Sequence, residues 1–164
     1  METVKPTYGE EADAALRLVV TLTRCFHSVA APLKADIEAN GLSVSEFGVL
    51  EMLYHKGDLP LGEVANRLLI ATGSTTYVID KLERLGLVER KACERDRRIS
   101  YAHLTDRGRE RIAQSFPRHA EVVRKTLSAL TTEEQETLRI LLKKLGLSLQ
   151  SPADISTRIE RKAF

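Results

Sequence analysis

Between Gly86 and Thr105 the hydrophobic pattern of this chain changes period. On either side, apolar residues recur every three to four positions, the spacing of a helix face. Within the interval, Leu87-Val88-Glu89-Arg90-Lys91 and Ile99-Ser100-Tyr101-Ala102-His103-Leu104 read as two short strands. The polar loop Ala92-Cys93-Glu94-Arg95-Asp96-Arg97-Arg98 joins them, so the pair is predicted to be a hairpin set into an otherwise helical chain.

The helices on either side have legible starts and stops. Residues 10 to 38 read as one long helix with two apolar faces. Leu16, Val19, Val20, Phe26, Ala30, Leu33 and Ile37 mark the first, and Leu18, Leu22, Cys25 and Val29 the second. A helix apolar on more than one face is buried on more than one side, and in a chain of 164 residues a partner subunit is the expected cover. Pro32 is expected to bend this helix or begin a new turn, and Gly41 to stop it. Ser43 to Glu46 forms a capping box, with Leu42 and Phe47 at the staple positions. Leu50, Leu53 and Tyr54 carry the inward face on to the turn His55-Lys56-Gly57-Asp58.

After Pro60, Val64, Leu68 and Leu69 mark a short third helix, which Ala71-Thr72-Gly73-Ser74 is expected to break. A fourth helix ends at Gly86. Beyond the hairpin, Thr105 caps a long helix with Asp106 in its first turn, and Pro117 predicts a kink near its middle. Thr131 or Thr132 caps the last helix, which runs through Leu138, Leu141, Leu142 and Leu145 and closes at Gly146. Residues 150–164 are polar and expected to form a flexible tail.

Composition bounds the function classes. A 43% hydrophobic and 29% charged chain supports a core and a soluble surface. No run of 18 apolar residues occurs, so no membrane span and no membrane partner are expected. The N-terminus METVKPTYGEEADAA lacks a basic segment leading into an apolar one, so a cytoplasmic location is expected. There Cys25 and Cys93 are expected to be free thiols. A net charge of +2 is too small to imply nucleic acid by itself. Its distribution says more.

On the fourth helix, Thr75, Val78, Ile79, Leu82 and Leu85 fall on one side and Ser74, Tyr77, Asp80, Lys81 and Arg84 on the other. The second set, with Thr76, offers hydroxyls, a phenol, an ammonium and a guanidinium, groups that suit phosphates and base edges in a major groove. The alternative is an ordinary amphipathic helix with a solvated face. From Arg84 to Arg98 the basic residues are Arg84, Arg90, Lys91, Arg95, Arg97 and Arg98, against Glu89, Glu94 and Asp96. A protruding arginine-rich loop fits a minor groove, where negative potential is concentrated. Asp96 is expected to pair with Arg98 and fix the direction of its guanidinium. Two short helices, a basic hairpin and long flanking helices make the pattern of a winged helix-turn-helix. The fold class is therefore mainly α with a small β-hairpin wing.

Residues 59–108 resemble the MarR family of bacterial winged-helix repressors. The matching elements are Leu82-Glu83-Arg84-Leu85-Gly86-Leu87-Val88-Glu89-Arg90, then Asp96-Arg97-Arg98, then Leu104-Thr105-Asp106-Arg107-Gly108. The segments 46–58, 71–83 and 90–93 are most similar to the MhqR-type branch, associated with repression of quinone and electrophile detoxification genes. The resemblance implies a homodimer on a pseudo-palindromic operator. The implied dimerisation arms are residues 10–40 and 106–147, and the DNA-binding lobe is 42–105. It further implies that the fourth helix enters the major groove and Arg98 the minor groove. Ser74, Thr76, Tyr77, Lys81, Arg84, Arg95, Arg97 and Arg98 are the expected DNA contacts, oriented at the wing by Asp96.

By the same resemblance, an effector pocket lies where the first, second and fifth helices meet, with Arg24, His27, Phe47, Leu50 and Tyr54 as candidate lining and a small aromatic effector. A satisfied interface histidine and a surface arginine are the alternatives for His27 and Arg24. The two thiols differ: Cys25 on an apolar helix is expected to be inert core, whereas Cys93 beside Lys91 and near Arg95 is a candidate for alkylation by an electrophile. His27, His55, His103 and His119 have no metal-ligand spacing, so neither metal nor cofactor is expected. No phosphate loop, nucleophile elbow or paired-cysteine motif occurs, so an enzyme is not expected. A winged helix that binds protein instead of DNA is the other alternative, disfavoured by Lys81, Arg84, Arg95, Arg97 and Arg98.

Overall fold

A computed structural model describes residues 7–68, 72–93, 96 and 98–149. In chain order its elements are α1 (Glu10–Ala39), α2 (Val44–Lys56), β1 (Leu59–Pro60), α3 (Leu61–Leu68), α4 (Thr72–Arg84), β2 (Val88–Ala92), β3 (Ser100–Leu104), α5 (Asp106–Thr126) and α6 (Thr132–Ser148).

The hairpin is present, but it belongs to a three-stranded antiparallel sheet in the order β1-β3-β2. Leu59 and Pro60 pair with Ala102 and Tyr101 on the free edge of β3. Two residues, one of them proline, carry no period, and proline is tolerated only on an edge strand, so this strand had no sequence signal. Along the wing, Val88 faces Leu104 and Ala92 faces Ser100, which starts each strand one residue later than the pattern suggested. Thr72, Gly73 and Ser74, expected to break a helix, form the start of α4. Leu69 and Ala71 lie outside the described residues. His55 and Lys56 belong to the last turn of α2, which ends at Gly57 with φ 78°. Pro32 and Pro117 both lie inside continuous helices, neither of which starts anew at its proline.

The core lies in the lobe formed by α2 to α5 and the sheet. Phe47, Val49, Leu50 and Leu53 of α2 are at most 2% exposed. Val64, Ile79, Leu82, Val88, Ala102 and Ile112 close around them. Each fully buried Leu or Ile contributes roughly 1.5–3 kcal/mol relative to an exposed one. Leu85, expected on the inner side of α4, is instead 41% exposed.

One joint sets the angle between α4 and the wing. The Leu87 N–H donates to Leu82 O at 2.9 Å and the Gly86 N–H to Glu83 O at 2.8 Å, a Schellman closure with Gly86 at φ 67°. Thr105 then ties the far end of the wing to the same turn. Its hydroxyl donates to Gly86 O at 2.7 Å and accepts from the Gly108 N–H at 3.0 Å. Its own N–H donates to Leu87 O at 3.2 Å. The first turn of α5 comes so close that a Cβ on Gly108 would lie 1.9 Å from Leu87 O.

The start of α2 is tied to α4. Glu46 accepts the Ser43 N–H at 3.0 Å while Ser43 Oγ accepts the Glu46 N–H at 3.3 Å, completing the expected capping box. The other carboxylate oxygen of Glu46 holds Lys81 Nζ of α4 at 2.5 Å. Burial pushes the Glu46 carboxyl up, but Lys81 and the Ser43 N–H together outweigh it and hold the group below its ordinary 4.5. Lys81 is raised above its ordinary 10.5, chiefly by the same carboxylate.

The chain divides into two compact units, one ending at Thr126 and the other beginning at Leu127. In the second, Thr131 is the N-cap of α6 and pairs reciprocally with Glu134 in a capping box. Gly146, expected to close this helix, lies inside it. Leu138, Ile140, Leu141, Leu142 and Leu145 of α6 are all more than 40% exposed. In the first unit, Leu16, Leu18, Val19, Val20 and Phe26 of α1 are similarly exposed, while Ile37 joins the core. By length and composition α1 is apolar enough to cross a membrane, although Arg17, Arg24 and Lys34 interrupt its apolar run.

Gly108→Ala should cost about 3 kcal/mol in urea unfolding, because the clash is with backbone that cannot rotate away. Glu46→Ala should cost about 1–2 kcal/mol at neutral pH, and Glu46→Gln less, because glutamine preserves the capping box but not the charge. The Glu46 contribution is complete above the ordinary carboxylate range and is lost as pH falls through its lowered folded value; that of Lys81 is complete below its ordinary value and lost as pH rises through its raised one. Unfolding free energies of wild type and Glu46→Gln should therefore differ by a constant amount between about pH 6 and 9 and converge once pH has fallen below the lowered folded value of Glu46.

Candidate nucleic-acid interface

Helix α4 presents the side that its period predicts. Thr75, Val78, Ile79 and Leu82 are buried, while Tyr77 is 63% exposed and Thr76 and Arg84 are exposed. Ser74 lies in the first turn of the helix. Lys81 is on this outer side too, but its ammonium is held by Glu46.

The acidic residues of α4 are also engaged. Arg90, on the first wing strand, extends its guanidinium to both: Nη2 lies 2.6 Å from Asp80 Oδ1, and Nη1 pairs with Glu83. Its backbone N–H donates to Glu83 Oε1 at 2.9 Å. This single residue locks the wing to the helix and neutralises two carboxylates that would otherwise repel a phosphate backbone. Lys91 pairs with Glu89 at 3.1 Å. Six basic residues between Arg84 and Arg98 therefore overstate the free positive charge, since Arg90, Lys91 and Arg98 each meet a carboxylate.

At the wing tip the Ile99 N–H donates to Asp96 O and the Cys93 N–H to Ile99 O, both at 2.9 Å. Asp96 then grips Arg98 three times. Oδ1 accepts its backbone N–H at 3.0 Å and its Nε at 3.1 Å, and Oδ2 accepts Nη2 at 3.2 Å. The Arg98 hydrogen bonds hold the Asp96 carboxyl below its ordinary range, so the pair stays ionised at neutral pH. The Arg98 side chain is nevertheless 91% exposed: a guanidinium fixed in direction yet open to solvent. Arg95 and Arg97 lie outside the described residues. Below the tip, His103 Nδ1 lies 2.7 Å from Asp58 Oδ1, joining β3 to the turn before β1.

The five candidate pocket residues differ in exposure. Arg24 and His27 are exposed on α1, and Tyr54 is half-buried against the core. Phe47 and Leu50 are core residues, 2% and 0% exposed, because the staple position that made Phe47 conspicuous also buries it. What the structure does bring together where α1, α2 and α5 meet is Asp36, His119 and Phe47. His119 Nδ1 lies 3.0 Å from Asp36 Oδ2, and its ring centroid lies 4.6 Å from that of Phe47. Arg118 Nε approaches Asp36 Oδ1 at 2.9 Å as an ion pair without hydrogen-bond geometry. The available signal was an aspartate at an inward position of α1 beside Ile37, a buried charge that demands a partner.

Both cysteines are free; Cys25 is exposed rather than core, and Cys93 is half-buried. Lys91, expected to activate Cys93, is turned to Glu89. Among the described residues no cluster of His, Cys, Asp or Glu could hold a metal ion.

Comparison with known proteins places this geometry. A profile of the MarR family matches residues 40–99. The HTH-type transcriptional regulator MhqR of Bacillus subtilis is 40% identical over 136 residues, covering 83% of this chain and 94% of the relative. Among solved structures, Sco3205 of Streptomyces coelicolor, a MarR family regulator in complex with DNA, matches with TM-score 0.78 at 22% identity, over 92% of this chain and 96% of that one. BpsR of Bordetella bronchiseptica, whose DNA binding is regulated by 6-hydroxynicotinic acid, matches with TM-score 0.70 at 24% identity, over 79% and 98%. With a winged-helix lobe, an exposed α4 face and these relatives, the chain belongs to the MarR family of helix-turn-helix transcriptional regulators.

Proposed function

We propose that two copies of this chain bind one pseudo-palindromic DNA duplex as a cytoplasmic repressor, released by a small aromatic, phenolic or quinone-like effector. Each α4 enters a major groove with Ser74, Thr76, Tyr77 and Arg84. Each wing sets Arg98 in a minor groove, and Arg95 and Arg97 of the same loop are further proposed DNA contacts. Lys81 contributes charge to the same face from its place on Glu46. The observation that carries this reading is Arg98, almost wholly exposed and still gripped at backbone, Nε and Nη2 by one carboxylate. A long side chain held rigid in water has lost rotamer freedom before binding, so the groove need not impose it.

The uncovered leucines and valines of α1 and α6 support a homodimer, in which a second copy covers each face. The same cover accounts for α1 without a membrane. Arg24 and His27, exposed on α1 in the single chain, would meet an effector near Tyr54, with Phe47 and Leu50 behind it. The regulation of BpsR by a small aromatic acid supports an effector of that class.

Selection from random duplexes should enrich an inverted repeat, and affinity for it should fall about a hundredfold between 50 and 200 mM salt if about four phosphates are neutralised. Arg98→Ala should weaken binding about tenfold or more; wild-type affinity in that variant would refute the wing role. Val20→Asp or Leu142→Asp should yield monomers in analytical ultracentrifugation, and an unchanged dimer would contradict the proposed arms.

A further inference from the structure

Ser74, Tyr77, Lys81 and Arg84 are spaced along α4 as a single helix face. The two cations in that stripe are held differently. Arg84 is exposed, with no ion pair among the described residues. Lys81 is 41% exposed along its side chain, yet its ammonium rests 2.5 Å from Glu46 Oε1, and the Glu46 side chain is only 4% exposed.

The carboxylate that holds Lys81 is itself pinned. Glu46 Oε2 accepts the Ser43 N–H at 3.0 Å, and the Glu46 N–H donates to Ser43 Oγ at 3.3 Å. Drawing Lys81 away would leave Oε1 of a buried carboxylate without its cation, a loss that one solvated phosphate contact does not offset. Lys81 therefore stays on Glu46 when this face meets an anion. An ammonium carries three N–H donors. With one on Glu46, two remain on the solvent side in restricted directions. The pair is neutral, so its pull on distant phosphates is small. Two directed donors suit the paired acceptors of a guanine edge, O6 and N7.

We propose that Glu46 is a specificity-determining positioning residue: it holds the Lys81 ammonium as a directed donor to a guanine in the major groove, where a free lysine would settle on any phosphate. This rests on the DNA-binding reading above and adds to it a residue of α2 that acts on the bases only through α4.

The test titrates the full-length chain with a duplex selected from a random pool and with a scrambled duplex, across a range of salt concentrations. Glu46→Gln keeps the capping box, but its one acceptor oxygen is taken by Ser43 and its NH2 faces the ammonium, so Lys81 is released. This variant should bind the scrambled duplex more tightly, with a salt dependence steeper by about one per bound chain. It should also lose about tenfold in preference for the selected duplex. The tighter binding is a gain that misfolding does not produce. Glu46→Gln/Lys81→Met removes both charges together. It should bind the scrambled duplex as the wild type does and the selected one about tenfold more weakly, the loss mapping to one guanine in each half-site. An unchanged preference in Glu46→Gln, weaker binding of both duplexes by it, or wild-type preference in the double variant would each overturn the proposal and leave the DNA-binding reading intact. A wild-type chain that binds neither duplex overturns both.

Discussion

The turn at Gly86 and Leu87 is the contact on which the placement of α4 and the wing depends. Its two carbonyls accept from Thr105, which is at once the end of the wing and the cap of α5. Because Gly108 admits no side chain between α5 and Leu87 O, the helix sits directly against the turn that ends α4. Three consecutive elements thus meet at the backbone of Gly86, Leu87 and Gly108, tied together by the Thr105 hydroxyl and N–H. Rigidity at this point is what gives a protruding wing a defined direction.

Electrostatics refine that placement. Arg90 holds Asp80 and Glu83 of α4 to the first wing strand, and Glu46 holds Lys81 to the start of α2. The charged residues of α4 are therefore largely occupied within the lobe, and their chief effect is to fix the helix. Exposed pairs of this kind stabilise little individually, but a guanidinium shared between two carboxylates restrains orientation more than its energy suggests. The cationic groups left to solvent on the described face are Arg84 and Arg98, a sparse and directional set.

A contrast runs through the first compact unit. Between α2 and β3 the side chains are packed to near-zero exposure, whereas the greater part of α1 is covered by nothing in the single chain. The link from α1 to the lobe is polar as well as apolar, through buried Asp36 between Arg118 and His119. A buried carboxylate costs more when a partner is removed than the pair contributes when whole, so this junction discriminates sharply between a docked and a displaced α5. It lies where the effector was expected, and any ligand acting there must contend with it.

How much was legible follows from which physical signals are local. Helix periods, the capping boxes at Ser43 and Thr131, the glycine closing α4 and the switch to strand alternation are short-range patterns, and each appears near its expected place. The Asp96–Arg98 pairing was legible for the same reason, two residues apart on one loop. Strand β1 was not, because its pairing partner lies more than forty residues away and two residues have no period. The roles of Lys81 and Arg90 were hidden as well: composition counts a cation without saying which carboxylate it meets. The burial of Phe47 and Leu50 was hidden too, because aromatic and aliphatic side chains suit both a ligand and a core, and only packing shows how closed their surroundings are. The sequence by itself thus determined the order of the helices and the two wing strands, the capping boxes and the basic wing, all set by neighbours within a few residues. The tertiary structure alone decided which charges face outward and which carboxylates Lys81 and Arg90 meet, because those depend on contacts between different segments of the chain.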